Sequence, residues 1–83
     1  MKLINGMSIL SVRQNLSGRV QLLVFELLIN EKIPMSNKIV SNRLDTDYII
    51  TYKSLESLMN KGILNKVKNK LGRFVYSINY GGE

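Results

Sequence analysis

Positively charged side chains are concentrated in one short part of the chain. Residues 53–73 carry six basic residues and one carboxylate, Glu56, whereas residues 1–52 carry six basic and four acidic residues. The basic residues of this segment are Lys53, Lys61, Lys66, Lys68, Lys70 and Arg73. A local excess of cations attracts phosphate groups, and neutralising phosphates is the main source of affinity for nucleic acids. The segment therefore predicts a nucleic-acid partner; the alternative is a solvated surface that only maintains solubility.

The chain offers few residues for catalysis or for metal binding. It contains no Cys and no His, which removes thiolate chemistry, the commonest general base and the commonest transition-metal ligand. Six carboxylates remain, and their spacing is typical of helix caps and solvated faces. They are Glu26, Glu31, Asp45, Asp47, Glu56 and Glu83. We therefore expect no enzymatic activity, no metal and no other cofactor.

Length and hydropathy limit the class of protein further. Eighty-three residues make one domain, near the size at which a second subunit often supplies part of the buried surface. No segment approaches the roughly 20 consecutive apolar residues of a membrane span. Residues 1–17 also lack the continuous apolar run of a signal peptide. We expect a cytoplasmic protein that does not associate with membranes.

The first long apolar segment predicts a helix from residue 18 to about residue 31, with Ser17 as its N-cap. One apolar stripe of this helix contains Val20, Leu23, Val24, Leu27 and Leu28, and a second stripe, on nearly the opposite side, contains Leu22, Phe25 and Ile29. A helix that is apolar on both sides must be buried on both sides. Two arrangements would achieve this: the second stripe forms a homodimer interface, or residues 1–16 fold over it. Within that N-terminal extension, residues 8–13 fit either a short strand or an additional helix.

Two more helices are predicted after Pro34. Ser36 is the expected N-cap of a short helix over residues 37–43, and residues 45–47 form a turn in which Thr46 or Asp47 caps a third helix. The third helix runs from about residue 48 to residue 61, with Gly62 just beyond its end. The short helix has an expected inward side of Ile39, Val40 and Leu44. The inward stripe of the third helix is predicted to contain Tyr48, Thr51, Tyr52, Leu55, Leu58 and Met59, which leaves Ile49, Ile50, Lys53, Ser54, Ser57 and Lys61 outside.

Beyond Gly62 the period of the apolar residues changes from that of a helix to two. This change predicts a strand over residues 63–68, a turn over residues 69–72 and a return strand over residues 73–80. The return strand carries Phe74, Tyr76, Ile78 and Tyr80 on one face. We expect this face to lie opposite Lys66 and Lys68, or near them only through strand twist.

This order of elements is similar to that of winged helix-turn-helix proteins. The resemblance covers about residues 16–80, and its most specific part is Leu55-x-x-Leu58-x-x-x-Gly62-Ile63-Leu64, followed by the basic hairpin and Tyr76-x-Ile78. A similar segment ends the recognition helix in families of the MarR and ArsR type. The resemblance implies an α+β fold, with a three-helix core over residues 17–62 and a C-terminal β-hairpin wing over residues 63–80, after the N-terminal extension 1–16.

The same resemblance implies a function. Winged-helix proteins of this size act as transcriptional repressors or as the centromere-binding adaptors of tubulin-like plasmid and phage partition systems. Both roles imply sequence-specific binding to double-stranded DNA, commonly by a homodimer. In partition, a partner protein would recognise the DNA-bound array.

The third helix is the expected reader of DNA sequence, because the major groove accepts one α-helix and side chains near its N-terminus reach base edges. Lys53 can donate to guanine, Ile50 can contact a thymine methyl group, and Ser54 and Ser57 can bind bases or phosphates. Ordinary helix surface is the alternative for the two serines, and packing against the second helix or another subunit is favoured for Ile49 and Ile50. The predicted DNA-binding residues are Ser36, Asn37, Lys38, Arg43, Thr46, Ile50, Lys53, Ser54, Ser57, Lys66, Lys68, Asn69, Lys70 and Arg73.

The same residues allow two alternative functions and predict one absence. The protein could be a winged-helix module that binds protein rather than DNA. The tyrosines and Phe74 could stack the bases of single-stranded nucleic acid, although Tyr48 and Tyr52 fall on the predicted inward stripe and are expected in the core. Finally, a chain this short is expected to have no effector site, which needs a cavity of several hundred Å³, on the order of 300–1,000 Å³, with converging polar groups.

Overall fold

The computed structural model describes residues 2–81; Met1, Gly82 and Glu83 lie outside the described residues. Within them the chain forms an α+β structure in which an antiparallel two-stranded hairpin follows the helices, which confirms the predicted order of helices and strands. The elements are α1 (Ile9–Gln14), α2 (Arg19–Glu31), α3 (Asn37–Leu44), α4 (Tyr48–Asn60), β1 (Leu64–Lys68) and β2 (Phe74–Ile78).

The N-terminal segment forms a helix, and the residues before it pair with the end of the chain. Ser8 caps α1 by accepting a hydrogen bond from the Ser11 amide. Before α1, buried Ile4 bridges to Tyr80, and the Gly81 amide donates to the Leu3 carbonyl over 2.8 Å. Residues 3–6 therefore lie against residues 79–81, and this pairing fixes the segment that leads into α1.

Helix α2 begins after Gly18, not after a serine cap. Gly18 has a φ of +83° and makes no side-chain hydrogen bond, so Ser17 is not the N-cap. The helix ends at Glu31, where Lys32 takes a left-handed conformation with a φ of +59°. The backbone has therefore already left the helix before Pro34, as the sequence predicts.

The second stripe of α2 is covered from within the chain. Phe25 is fully buried and belongs to the same core as Val12 of α1. Arg13 of α1 donates two hydrogen bonds to the carboxylate of Glu26, at 3.0 and 3.1 Å, and holds the two helices together. The prediction that Phe25 lies in a dimer interface is therefore wrong, because its side chain is not available to a second subunit. Ile29 is half-buried against the core, and only Leu22 of this stripe is exposed.

Helices α3 and α4 are joined by a tight turn with a polar cap at each start. Ser36 caps α3 through the Ile39 amide at 3.3 Å, and Asp47 caps α4 through the Ile49 and Ile50 amides at 2.9 and 3.0 Å. Asp45 adopts a left-handed conformation between the helices. Both predicted caps are confirmed. On the predicted inward side of α3, however, Ile39 is exposed, whereas Val40 is buried together with Ser41.

The buried side of α4 agrees with the predicted one at Thr51, Leu55 and Leu58 and differs from it at Ser54 and at two tyrosines. The buried residues are Thr51, Ser54, Leu55 and Leu58, which keep the i, i+3, i+4, i+7 spacing of a helix face. Tyr48 and Tyr52, expected inside, are 56% and 44% exposed. The buried hydroxyl of Thr51 has a hydrogen-bond partner, because it donates to the Asp47 carbonyl at 2.8 Å. Small side chains thus occupy the buried side of this part of α4, and the two tyrosine rings lie on its exposed side.

Gly62 connects α4 to the hairpin through a left-handed backbone conformation, close to the Asn5 side chain. Its φ is +79°, and a Cβ there would lie 2.5 Å from the Asn5 side-chain nitrogen. The Gly62 amide donates to the Met59 carbonyl and the Ile63 amide donates to the Leu58 carbonyl, both over 3.0 Å. Gly62 thus ends α4 as the sequence predicts, and it also brings the N-terminal segment against that end.

The hairpin pairs with the segment before α3. Met35 and Tyr76 exchange two backbone hydrogen bonds, of 2.8 and 3.0 Å, on the edge of β2 that faces away from β1. This bridge fixes the hairpin beside the starts of α3 and α4. The core that these elements enclose consists of Ile4, Val12, Val24, Phe25, Leu28, Met35, Val40, Leu55, Leu58, Ile63, Leu64, Tyr76 and Ile78.

Candidate nucleic-acid interface

The exposed side of α4 presents bulky residues followed by a cation. The Asp47 cap fixes the first turn, from which Tyr48, Ile49 and Ile50 project into solvent. Lys53 follows one turn later and is exposed. This places two of the predicted DNA-binding residues, Ile50 and Lys53, on an accessible surface. Ile49 and Ile50 are 62% and 50% exposed, so neither is enclosed by packing against α3.

The two serines of α4 are not available as the sequence suggests. Ser54 is only 8% exposed and lies on the buried side of the helix, so the predicted DNA contact is wrong. Ser57 is half-buried and accepts a hydrogen bond of 3.0 Å from the Gln21 side chain of α2. Both residues serve the packing of α4 on the rest of the chain.

The tip of the hairpin combines a rigid turn with free cations. The Asn69 side-chain oxygen accepts hydrogen bonds from the Leu71 and Arg73 amides, at 2.9 and 3.0 Å, so Asn69 shapes the turn and its carboxamide oxygen is already used. Lys68, Lys70 and Arg73 are exposed. Their charges are therefore carried on a turn of defined shape.

Aromatic and cationic side chains share one face of the hairpin, contrary to the sequence prediction. The register pairs Lys66 with Tyr76 and Lys68 with Phe74, and directly paired residues lie on the same face. The predicted turn over residues 69–72 would have paired Lys68 with Arg73. In the structure Arg73 also belongs to the loop, and a shift of one residue moves every side chain of a strand to the other face.

Lys66 lies among aromatic rings. Its ammonium nitrogen is 4.7 Å from the ring centre of Phe74, 5.7 Å from that of Tyr76 and 5.9 Å from that of Tyr52. Lys68 approaches the same Phe74 ring at 5.4 Å. These distances are within the roughly 6 Å range of cation–π attraction. Lys66 is therefore held over the hairpin face and does not extend from its tip.

Glu56 of α4 connects the helix to this face. Its Oε2 accepts a hydrogen bond of 2.6 Å from the Tyr76 hydroxyl and one of 2.9 Å from the Lys66 ammonium. These two bonds, the tyrosine first, lower the pKa of the Glu56 carboxyl below its ordinary value. Burial, and then the Glu56 carboxylate, raise the pKa of the Tyr76 hydroxyl. Glu56 is therefore charged, Tyr76 is neutral, and Lys66 has its counterion within the chain.

These elements enclose an open cleft of about 480 Å³, which we call the aromatic cleft. It lies between the start of α3, the start of α4 and the hairpin. The side chains that define it are Asn37, Lys38, Tyr48, Tyr52, Arg73 and Phe74. A cavity of this size, with polar groups around it, is what the sequence was expected to lack. The cleft removes the argument from size, and the absence of an effector site stays a prediction.

Asn37 occupies the inner side of the aromatic cleft. It is 7% exposed, and its side-chain nitrogen donates to the Tyr48 carbonyl at 3.3 Å. Its Oδ1 oxygen accepts no hydrogen bond and is the one buried side-chain polar atom without a partner among residues 2–81. Asn37 is too enclosed for the predicted contact with a DNA backbone, whereas its neighbour Lys38 is exposed.

Three other predicted DNA-binding residues take part in internal contacts. The Ser36 hydroxyl accepts the Ile39 amide as the cap of α3. Arg43 forms an ion pair with Glu31 at the end of α2. The Thr46 hydroxyl donates to the Leu44 carbonyl over 3.1 Å. Each of these side chains has a structural role, and Arg43 in particular carries a charge that is already neutralised.

The sequence named Tyr48, Tyr52 and Phe74 as possible stacking residues but placed Tyr48 and Tyr52 on the inward stripe, whereas all three border the aromatic cleft. For Phe74, the signal that could have placed it is the loop length of the hairpin, since five loop residues put it beside Lys68. Residues 2–81 contain no group of three or more acidic side chains that could hold a metal ion, and no helix among them is long and apolar enough to cross a membrane. Searches of protein-family models, curated proteins and solved structures find no match to this chain.

Proposed function

We propose that this protein is a winged helix-turn-helix protein that binds double-stranded DNA. In this proposal α3, the turn and α4 form the helix-turn-helix, α4 is the recognition helix and β1–β2 is the wing. The order of the elements supports it, as does the pairing of Met35 with Tyr76, which holds the hairpin beside the starts of both helices. A wing in that position would follow the DNA backbone while α4 lies in the major groove.

The observation that carries the proposal is the set of exposed cations on α4 and the hairpin. Within residues 2–81, the carboxylates that form ion pairs do so with Arg13, Arg43 and Lys66. The exposed cations of α4 and the hairpin that form no ion pair there are Lys53, Lys68, Lys70 and Arg73. Since phosphate contacts supply most of the affinity for DNA, these four residues are the proposed electrostatic footprint.

The first turn of α4 suggests which bases are read. Ile49 and Ile50 are exposed at the end of the helix that would enter the groove first, one turn before Lys53. An isoleucine contacts the methyl group of thymine, whereas a lysine donates to the acceptors of guanine. We therefore propose a half-site in which thymines precede a guanine along the path of α4.

The biological role follows from sequence-specific binding without catalysis. We propose a transcriptional repressor or a centromere-binding partition adaptor, either of which would bind repeated or palindromic half-sites as a homodimer. Since Phe25 is buried, the interface would use other apolar residues of the N-terminal helices. Leu10 of α1 and Leu22 of α2 are exposed and are candidates.

The test compares two lysines that should act differently. A duplex is first selected from a randomised pool with the wild-type protein. Lys53→Ala should weaken binding to this duplex by about 5- to 150-fold, the equivalent of roughly 1–3 kcal/mol, and should weaken binding to random duplex less. Lys70→Ala should weaken binding to both duplexes alike and reduce the slope of log affinity against log salt by about one.

Lys32→Ala is the matched control, because it removes one exposed charge at the end of α2, beside a groove separate from the aromatic cleft. It should leave both affinities within about twofold of wild type, or roughly 0.4 kcal/mol. If the wild-type protein shows no salt-dependent affinity for random duplex, DNA binding is excluded. If Lys53→Ala affects both duplexes equally, α4 is not the reader.

A second candidate function is binding to another protein. It is favoured by three exposed isoleucines, Ile39 on α3 and Ile49 and Ile50 on α4, because large exposed apolar side chains mark interaction surfaces. Under this function the hairpin cations would be a solvated surface. Retention of a protein partner at a salt concentration that abolishes duplex binding, with loss on Ile49→Ser, would favour it over the first.

A further inference from the structure

We propose that the aromatic cleft binds one unpaired nucleotide, with its base stacked on Tyr52 and Phe74 and its phosphate against Lys38 and Arg73. This inference goes beyond binding of duplex DNA along α4 and does not depend on it, because stacked bases in a duplex do not present their faces to a protein. It rests on the aromatic rings, the cations and the buried amide that meet in this cleft.

The aromatic rings carry the first part of the argument. Phe74 is 49% exposed, and together with Tyr48 and Tyr52 it borders the same cleft. The Lys66 nitrogen lies 5.9 Å from the ring centre of Tyr52 and 4.7 Å from that of Phe74, so both rings lie beside one cation, and a base would stack on the ring surfaces that this cation leaves exposed. Exposed aromatic faces are stacking surfaces for nucleobases, which all present a π-face.

The charges define the rest of the ligand. Lys66 is neutralised by Glu56, whereas Lys38 and Arg73 line the cleft and form no ion pair among residues 2–81. Two free cations beside aromatic rings select a ligand that is both planar and anionic. A phosphate group attached to an aromatic base has this combination, and an uncharged aromatic compound does not.

Asn37 adds a requirement for a hydrogen-bond donor. Its Oδ1 oxygen is buried on the inner side of the cleft and has no partner, and a buried carbonyl oxygen without a donor is unfavourable. Nucleobases carry donors at their edges, either a ring N–H or an exocyclic amino group. In this proposal the Asn37 carboxamide turns toward the cleft, and the edge of a base stacked on Tyr52 and Phe74 donates a hydrogen bond to its oxygen.

The size of the cleft agrees with a single nucleotide. Its volume of about 480 Å³ lies within the roughly 300–1,000 Å³ of small-molecule sites. The cleft is open on one side, so a nucleotide could enter as a free molecule or as part of a strand that continues over the hairpin. The base, the phosphate and the donor are common to both sources, and the experiment distinguishes them.

The experiment measures binding of a fluorescent eight-nucleotide thymidine strand by anisotropy. Tyr52→Leu and Phe74→Leu should each weaken binding by about 5- to 150-fold, as expected when one base loses its stacking partner. Tyr52→Phe keeps the ring and should bind as wild type does. Both substituted side chains are half-exposed, so the variants should fold.

Tyr80→Leu is the matched control. Tyr80 is also an exposed tyrosine with a lysine over its ring, since the Lys2 nitrogen is 4.9 Å from its ring centre, but it borders a different groove. This variant should retain wild-type affinity for the thymidine strand. Equal losses in Tyr80→Leu and Tyr52→Leu would overturn the proposal, because the effect would then not belong to the cleft.

Proton NMR identifies the source of the nucleotide. Upfield shifts of the Tyr52 and Phe74 ring protons with thymidine monophosphate alone would support a free nucleotide, and shifts only with the eight-nucleotide strand would support a nucleotide within a strand. No shift with either ligand overturns the proposal. Failure of duplex binding to respond to Lys53→Ala leaves this result unaffected, so the two proposals fail separately.

Discussion

Helices α2 and α4 have the same length, 13 residues, and pack against each other, but they use their apolar residues in different ways. On α2 the large side chains Phe25 and Leu28 are buried, Leu22 is exposed, and Arg13 of α1 is hydrogen-bonded to Glu26. On α4 Leu55 and Leu58 are buried together with the small residues Thr51 and Ser54, whereas the large residues Tyr48, Ile49 and Ile50 at its start are exposed. Exposure of a large apolar face is common at binding sites, so α4 contributes to the core with its later turns and is available to a ligand at its start.

The largest expected difference is in the free energy of unfolding, between substitution of one aromatic residue on α2 and of one on α4. Phe25→Ala should lower the free energy of unfolding by about 3–5 kcal/mol, because it leaves a cavity in the core. Tyr52→Ala should change it by less than about 1 kcal/mol, because the ring is half-exposed. Urea unfolding followed by circular dichroism measures both. Similar losses in the two variants would contradict the assignment of different roles to the two helices.

The second effect concerns the end of α4, where the N-terminal segment touches it. Gly62→Ala should destabilise the protein by roughly 1–2 kcal/mol for the left-handed backbone, with a further loss because the new Cβ meets Asn5. Asn5→Gly in the same background should recover that further loss, because glycine removes the side chain and tolerates the φ of +47° at this position. If the double variant is no more stable than Gly62→Ala, the contact between the N-terminal segment and α4 does not matter for stability.

The third expected effect is a pH dependence of the free energy of unfolding that arises from Glu56 of α4. The pKa of Glu56 is lowered by Tyr76 and Lys66, so the folded state favours the carboxylate. The resulting stabilisation is present in full above the ordinary pKa of a glutamate, about 4.3, and is lost as pH falls through the lowered value. Glu56→Gln, or Tyr76→Phe, should flatten the decrease in unfolding free energy between about pH 5 and pH 3. An unchanged slope in both variants would show that Glu56 is not the group responsible.

The smallest effect compares two serines near the N-terminal helices. Ser8→Ala removes the side-chain cap of α1 and should cost about 0.5–2 kcal/mol. Ser17→Ala should cost less than about 0.5 kcal/mol, because Gly18 and not Ser17 precedes α2. Thermal unfolding of the two variants is sufficient to rank them. The reverse order would place the start of α2 one residue earlier and make Ser17 its cap.

Local signals in the sequence predicted most of the secondary structure. Ser36, Asp47 and Gly62 mark helix ends correctly, because capping and a positive φ depend on a few neighbouring atoms. The errors concern contacts between elements. Ser54 of α4 was expected outside and Tyr48 and Tyr52 inside, but Ser54 is buried and the two tyrosines are exposed, because periodicity alone cannot weigh the size of a side chain against its hydrophobicity.

Two further predictions, for the hairpin faces and for Phe25, are wrong because of features that involve only a few residues. One additional loop residue, Arg73, reverses the hairpin faces and brings Phe74 and Lys68 together. Phe25 shares one core with Val12 of the short helix α1, and the six residues of α1 carry too little pattern for this helix to be recognised in advance. The candidate site therefore could not be predicted as a set, although most of its members lie in the segment that the charge distribution singles out.

The pairing of residues 3–6 with residues 79–81 has a consequence for folding kinetics. This contact joins the two ends of the described chain, so it closes the longest loop in the molecule, whereas α3–α4 and the hairpin form contacts between near neighbours. Because loop closure costs more entropy as the loop lengthens, we expect the N-terminal segment to dock after the transition state. Substitutions at Ile4 should then accelerate unfolding while leaving the folding rate almost unchanged. The lifetime of the native state would then depend on the docking of the N-terminal segment and not on α4 or the hairpin.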